Sequence, residues 1–328
     1  MHAIHRILVA IKDPRAKSLH TVAKAAQLAR ALNASLRIFH GINEPIYLDM
    51  AGFTPPVDLL ERERREICKQ QLERIAARLR RLGITVSTAV EWDFPAYEAI
   101  LRGARDFNAD LIVAECHATH HRAPWLLRFT DWELLRTSAM PVLLVKNKRP
   151  YRRPRVLAAV DPSHAFAKPA KLDGEILRCG ATVANALGGA LHVVYAFDPL
   201  PLQLIPDTPT APAVFAQIEA TTIARAKTAL DRTLRVLKVP PDRRHVIGRH
   251  PIDAIADAAA QTASSIVVMG AISRSGLKRV FIGNTAEKLL DHLPCDVLVV
   301  KPPHFRSPVG RARRGAQVLA APVVSPVL

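Results

Sequence analysis

EAILRGARDFNADLIVAE, residues 98–115, is answered 155 positions later by DAIADAAAQTASSIVVMG, residues 253–270. The register holds without a gap from Glu98 and Asp253 through Lys146 and Lys301, taking in WELLRTSAMPVLLVK (132–146) and AEKLLDHLPCDVLVVK (286–301). In each stretch a helical spacing of apolar and small residues leads into a short continuous apolar run. Such runs, bounded by polar residues, read as strands buried on both faces. Their alternation with helices predicts an α/β fold around an open parallel sheet covered on both sides. A repeat of this length predicts two copies of one domain plan.

Working outward, the first copy opens with RILVAIKDP at residue 6 and the second with RVLAAVDP at residue 155. Each is followed by an alanine-rich helical stretch, TVAKAAQLARALNA or ILRCGATVANALGG, and then by a second apolar segment, SLRIFHGI or ALHVVYAF. The Pro-rich stretches GINEPIYLDMAGFTPPVDLL and DPLPLQLIPDTPTAPAVF come next, each before a long helical pattern, over 61–82 and about 215–237. The expected domains are 1–149 and 150–303, with 304–328 a basic flexible tail. In sheets of this kind ligands gather at the carboxyl ends of the strands, where strand order reverses.

With 49% hydrophobic residues the 328-residue chain can bury two cores. Its apolar runs stay well short of the roughly 20 residues that span a bilayer, so transmembrane insertion is not expected. MHAIHRILVAIKDP reads as a first buried strand and not as a cleavable signal. Cys68, Cys116, Cys179 and Cys295 form no CxxC pair, which suits a reducing cytoplasm. The formal net charge of +17 implies attraction to polyanions. Basic residues concentrate in KNKRPYRRPR (146–155) and RSPVGRARR (306–314). These read as a solvated linker and tail, with nucleic acid, a membrane surface or a protein partner as the other readings.

The paired openings ILVAIKDP and VLAAVDP, FTDWELL in the first half and GNTAEKLLDHLPCDVLVVKP in the second resemble the tandem universal stress protein family, in its two-domain E type. The resemblance covers residues 1 to 303. It implies a five-stranded parallel sheet of strand order 3-2-1-4-5 in each domain, with ATP held at the strand ends of the nucleotide-binding members. The family signature places Gly, two residues, Gly, nine residues, Gly, then Ser or Thr. In this chain those places fall on Gly270, Ser273, Gly283 and Asn284, with Thr285 next, so Ser273 and Asn284 depart from it. The same resemblance puts the aspartate after the first strand at Asp161, the adenine-contacting position at Phe197, and a ligand-contacting position at Met269.

Phosphate binding needs close approach to backbone N–H groups, which glycine permits and a helix N-terminus rewards. Asn284 can also cap a helix starting near Thr285, and Arg274 can neutralise phosphate charge. The bland readings of the same residues are a structural turn, a cap and a solvated helix face. No GKS or GKT ending is present, so hydrolysis is expected to be slow at most, with Mg²⁺ accompanying ATP if it binds. In the first half the register puts Glu115, Ala118, Arg128 and Phe129 at the signature places, and no nucleotide of this kind is expected there. Glu115, Cys116, His117, His120 and His121 are residue types that ligate zinc, at a spacing that fits no zinc module. A basic or aromatic binding surface and a structural interface remain open for that loop. No catalytic residue is expected. The functional expectation is a stress-response regulator or adaptor that binds an adenine nucleotide through its second half. A non-nucleotide adaptor, or a binder of lipids or other small molecules, is the alternative. The family frame further implies a homodimer or an intrachain pseudo-dimer.

Overall fold

The computed structural model describes residues 4–16, 19–48, 56–116, 130–163, 171–198, 211–271, 289–290 and 292–320. The first half contributes β1 (Arg6–Ala10), α1 (His20–Leu32), β2 (Ser35–Ile42), β3 (Ile46–Leu48), α2 (Val57–Arg80), β4 (Val86–Trp92), α3 (Ala96–Asp106), β5 (Leu111–Glu115), α4 (Thr130–Thr137) and β6 (Val142–Val145). The second contributes β7 (Arg155–Val160), α5 (Leu172–Ala186), β8 (Ala190–Phe197), α6 (Ala211–Thr233), β9 (Arg244–Gly248), α7 (Pro251–Gln261), β10 (Ile266–Gly270), β11 (Asp296–Val300) and β12 (Val318–Ala320). The chain divides into two compact units, one of Ile4–Thr137 with Ser307–Leu328, the other centred on Ser138–Arg306.

In the first unit the sheet runs β4-β2-β1-β5, every pair parallel. Ile7, Leu8 and Val9 have no solvent exposure, so β1 is apolar on both faces, as its continuous aliphatic run requires. Helix α1 turns Val22, Ala25, Leu28 and Ala29 inward and ends at Asn33, which takes the left-handed conformation at φ 52°. Asparagine tolerates that conformation, so the chain can leave the helix and enter β2 within two residues. Helix α3 lies close to β2 through Gly103, where an added Cβ would fall 2.4 Å from Cε2 of the fully buried Phe39.

In the second unit the strand order is β6-β11-β10-β7-β8-β9. All neighbours are parallel except β6, which runs antiparallel to β11 with Val297 opposite Leu144 and Val299 opposite Val142. The five strands of the second half run β9-β8-β7-β10-β11, all parallel, and the antiparallel seat of β6 on β11 makes the sheet as a whole mixed. Asp296 is a fully buried carboxylate at the start of β11. Its Oδ1 accepts the backbone N–H groups of Lys146 and Asn147, each at 2.9 Å, and its Oδ2 accepts the Tyr151 hydroxyl at 2.5 Å. Burial, and then the facing Asp296 charge, push the Tyr151 phenol well above its ordinary range, so it remains a donor. The exit of β6 is thereby tied to the entrance of β11.

The small strands β3 and β12 form a parallel pair inside the first unit and have no counterpart in the sequence reading. The residues from 307 to 320, expected as part of a flexible tail, are hydrogen bonded into that unit. No helix among the described residues is long and apolar enough to cross a membrane.

Two outcomes follow from this packing. Gly103→Ala should lower stability by about 1–3 kcal/mol, because Phe39 has no free space into which to move; an unchanged denaturation midpoint would contradict the close α3–β2 approach. Asp296→Ala should lower stability by at least about 2 kcal/mol by orphaning the buried Tyr151 hydroxyl and two half-buried backbone donors, and Asp296→Asn, which keeps one acceptor oxygen, should lose less in the same melting experiment.

Candidate functional site

Strand order reverses at β7 in the second unit, because the chain steps outward to β8 and β9 and then returns to the other side as β10 and β11. The β7–β10 ladder pairs Val156 with Ile266, Leu157 with Val267 and Ala158 with Val268, and stops there. On their outer sides both strands stay paired further, β7 to β8 up to Val160 and Tyr195, β10 to β11 up to Gly270 and Val300. The last two residues of β7 and of β10 are thus unpaired across the switch point, the place where sheets of this kind bind ligands. The first unit has no such early stop, since the β1–β5 ladder continues to Ala10 and Ala114, the end of β1.

Asp161 directly follows β7. Its backbone N–H donates to Oδ1 of buried Asp173 at 3.0 Å, and its own Oδ1 accepts Ser163 N–H at 3.2 Å and the Ser163 hydroxyl at 2.5 Å. Asp173 lies in the first turn of α5, so the helix start and the strand end are bonded to each other. Phe197 ends β8, half-buried, with its ring 5.6 Å from that of Tyr195. Beside it, a Cβ on Gly248 would come to 3.3 Å of the Phe197 ring, which accounts for glycine at the end of β9. Met269 is buried opposite Val299.

Gly270 is explained by packing. An added Cβ would lie 2.6 Å from Leu172 Cδ2 and 3.2 Å from Ile176 Cδ1, both on α5 and both fully buried. Its φ is outside the left-handed region, so close helix approach and not backbone conformation selects glycine here. Asp161, Phe197, Met269 and Gly270 accordingly share the carboxyl-end edge of three adjacent strands. Ser273, Arg274, Gly283, Asn284 and Thr285 lie outside the described residues.

One residue of this edge was missed in sequence. Lys301 follows the last β10–β11 pair and is only 5% exposed, and its Nζ has no hydrogen-bond partner among the described residues. The ammonium lies 4.7 Å from the centroid of the Phe305 ring, and burial pushes its pKa down to about 8. Its repeat counterpart Lys146 is satisfied by carbonyls, donating to Leu290 O and, at 2.5 Å, to Leu293 O. A lysine closing an apolar strand in both copies was the available signal, but the sequence offers no way to see how the two amines differ in the acceptors they meet among the described residues. A buried ammonium without them gains strongly from an anion.

In the first half Lys12, Asp13 and Glu115 are exposed and Cys116 is half-buried. His117, Ala118, His120, His121, Arg128 and Phe129 lie outside the described residues. Among the described residues no group of three or more His, Cys, Asp or Glu side chains could hold a metal ion. His40 is buried with Nδ1 2.9 Å from Ile11 O, and burial lowers its pKa. His192 and His245 stack across β8 and β9 with ring nitrogens 3.2 Å apart, and burial lowers both, which fits a neutral donor–acceptor pair. Cys295 is buried and its thiol is raised to about 11, so it is an unreactive packing group.

The profile of the universal stress protein family matches residues 3–146 and again 153–301. The chain is similar to "Universal stress protein E" of Salmonella typhi, at 26% identity over 94% of this chain and 98% of the relative. Among solved structures it is similar to a functionally unknown protein from Pseudomonas aeruginosa PAO1, with TM-score 0.69, 24% identity and coverage of 92% of this chain and 94% of the other. It is also similar to a universal stress protein from Archaeoglobus fulgidus DSM 4304, with TM-score 0.60, 15% identity and coverage of 90% and 98%. Those two likenesses concern the fold alone. With the family profile matched once in each half of a repeated strand–helix plan, the chain belongs to the universal stress protein family as a tandem member.

Proposed function

We propose that the switch point between β7 and β10 binds an adenine nucleotide, ATP with its Mg²⁺, and that the protein acts in the stress response as a nucleotide-responsive regulator or adaptor with slow turnover at most. The observation that carries this reading is the early end of the β7–β10 ladder at the switch point; Lys301, at the same carboxyl-end edge after β11, adds a buried amine with no acceptor among the described residues. Phosphate is the chemistry such an amine lacks, since a charge-assisted bond would offset its desolvation. Asp161 suits the other end of the ligand, because a carboxylate accepts ribose hydroxyls and repels phosphate. Phe197 offers a half-buried ring edge to a base. Where the first half has its ladder paired to the end of β1, the same ligand has no equivalent opening.

ATP titration of the full chain by calorimetry tests the reading. Lys301→Met should weaken binding about tenfold or more, the scale of one hydrogen bond to a charged group. The pH profile has a definite sign. Lys301 is protonated below about 8, so affinity should fall as pH rises through that value, and the fall should vanish in Lys301→Met. No binding at millimolar ATP would overturn the proposal.

A further inference from the structure

Residues 307–320 lie along the carboxyl ends of β2 and β4 of the first unit as a bound peptide would. Gly310 O accepts Nη1 of both Arg102, at 3.5 Å, and Arg105, at 3.4 Å. Arg313 pairs with Glu91 at 2.9 Å and Asp106 at 3.5 Å. Arg314 donates its backbone N–H to Asp93 Oδ1 and its Nη2 to Glu98 Oε1, both at 2.8 Å. Gly315 then turns the chain at φ 75°, a conformation that strains any other residue, and Ala316 packs on a cluster of Ile42, Ile46, Cys68 and Trp92. Finally Gln317 O accepts Ile46 N–H at 2.8 Å, and β12 adds in parallel to β3. Main-chain pairing with side chains read alternately is the pattern of strand addition.

The receiving face is charged to require such a segment. Asp93, Glu98 and Arg102 are 1%, 6% and 5% exposed, and Arg102 is held between the two carboxylates, at 2.7 Å from Asp93 Oδ2 and 3.1 Å from Glu98 Oε2. Two carboxylates against one guanidinium leave one buried negative charge, which Arg314 balances. Glu91 has its pKa raised by burial and drawn back by Arg313. Arg313 and Arg314 are themselves more than half exposed. The arginines therefore reach in from solvent, while the carboxylates belong to the fold. The strand β12 is exposed at all three residues, so apolar burial does little to hold its end.

We infer that this face is a binding site for an extended peptide that carries adjacent arginines followed by glycine, and that the chain closes it with its own residues 307–320. Tethering gives the segment a high effective concentration, which shuts the site against free peptide. Once the tether is cut, the same segment from a second copy takes the place of the first.

The test uses the full chain with a protease site inserted between Arg306 and Ser307, and a fluorescent synthetic peptide of residues 307–320 followed by anisotropy. The peptide should enter the cleaved protein and not the uncleaved one, and an Arg314→Glu peptide should bind at least tenfold more weakly. The uncleaved Arg314→Glu protein, whose clasp is loosened without any cut, should take up the wild-type peptide. Three results would overturn the inference: loss of the folded state on cleavage, permanent retention of the native segment with no uptake of label, or equal binding of the wild-type and Arg314→Glu peptides.

Discussion

Burial of the central strands on both faces is the constraint from which the rest of this structure follows. Ile7, Leu8 and Val9 in β1, and Val156, Leu157 and Ala158 in β7, are sealed from solvent. A strand in that position can carry no polar side chain without a partner, so polar groups are displaced to the strand ends. Asp161 directly follows buried Val160, and Asp13 stands two residues past buried Ile11, for that reason. The helices that cover the sheet must come close, and Gly103 over Phe39 and Gly270 under Leu172 mark where they do. Chemistry in this fold is confined to one edge by the same packing that stabilises it.

At that edge the two copies diverge through small differences in pairing. The β7–β10 ladder ends one pair sooner than β1–β5. Lys146 and Lys301 occupy the same place in the repeat, yet the first donates to two carbonyls and the second to none among the described residues. The first copy fills its own strand-end face with residues 307–320, where a buried carboxylate pair receives an arginine. The net charge of +17 is consequently distributed by function as well as by solubility, since Arg313 and Arg314 of the basic RSPVGRARR stretch face Glu91, Asp106 and Glu98.

Much of the fold was legible because its signals are local. Continuous aliphatic runs named β1, β5, β7, β10 and β11, and the long apolar-patterned segments became α2 and α6 close to their expected bounds. The family signature led to Asp161, Phe197, Met269 and Gly270, which do share one strand-end edge. The reason for Gly270 was not legible, because a glycine that admits a helix and a glycine that admits a phosphate look alike in sequence. Lys301 was passed over because its meaning depends on which carbonyls come near it. The strands β3 and β12 were passed over because three residues carry no periodicity that distinguishes them from loop.

By itself the sequence determined the repeated α/β plan, since hydrophobic period and chain-local capping specify strands and helices wherever a core will cover them. Only the tertiary structure decided the antiparallel seat of β6 on β11, the early end of the β7–β10 ladder, the burial of the Lys301 amine and the clasp of Arg314 on Asp93 and Glu98. Each of these joins residues far apart in the chain, and such pairings are selected by the burial of charge and backbone that only the closed fold imposes.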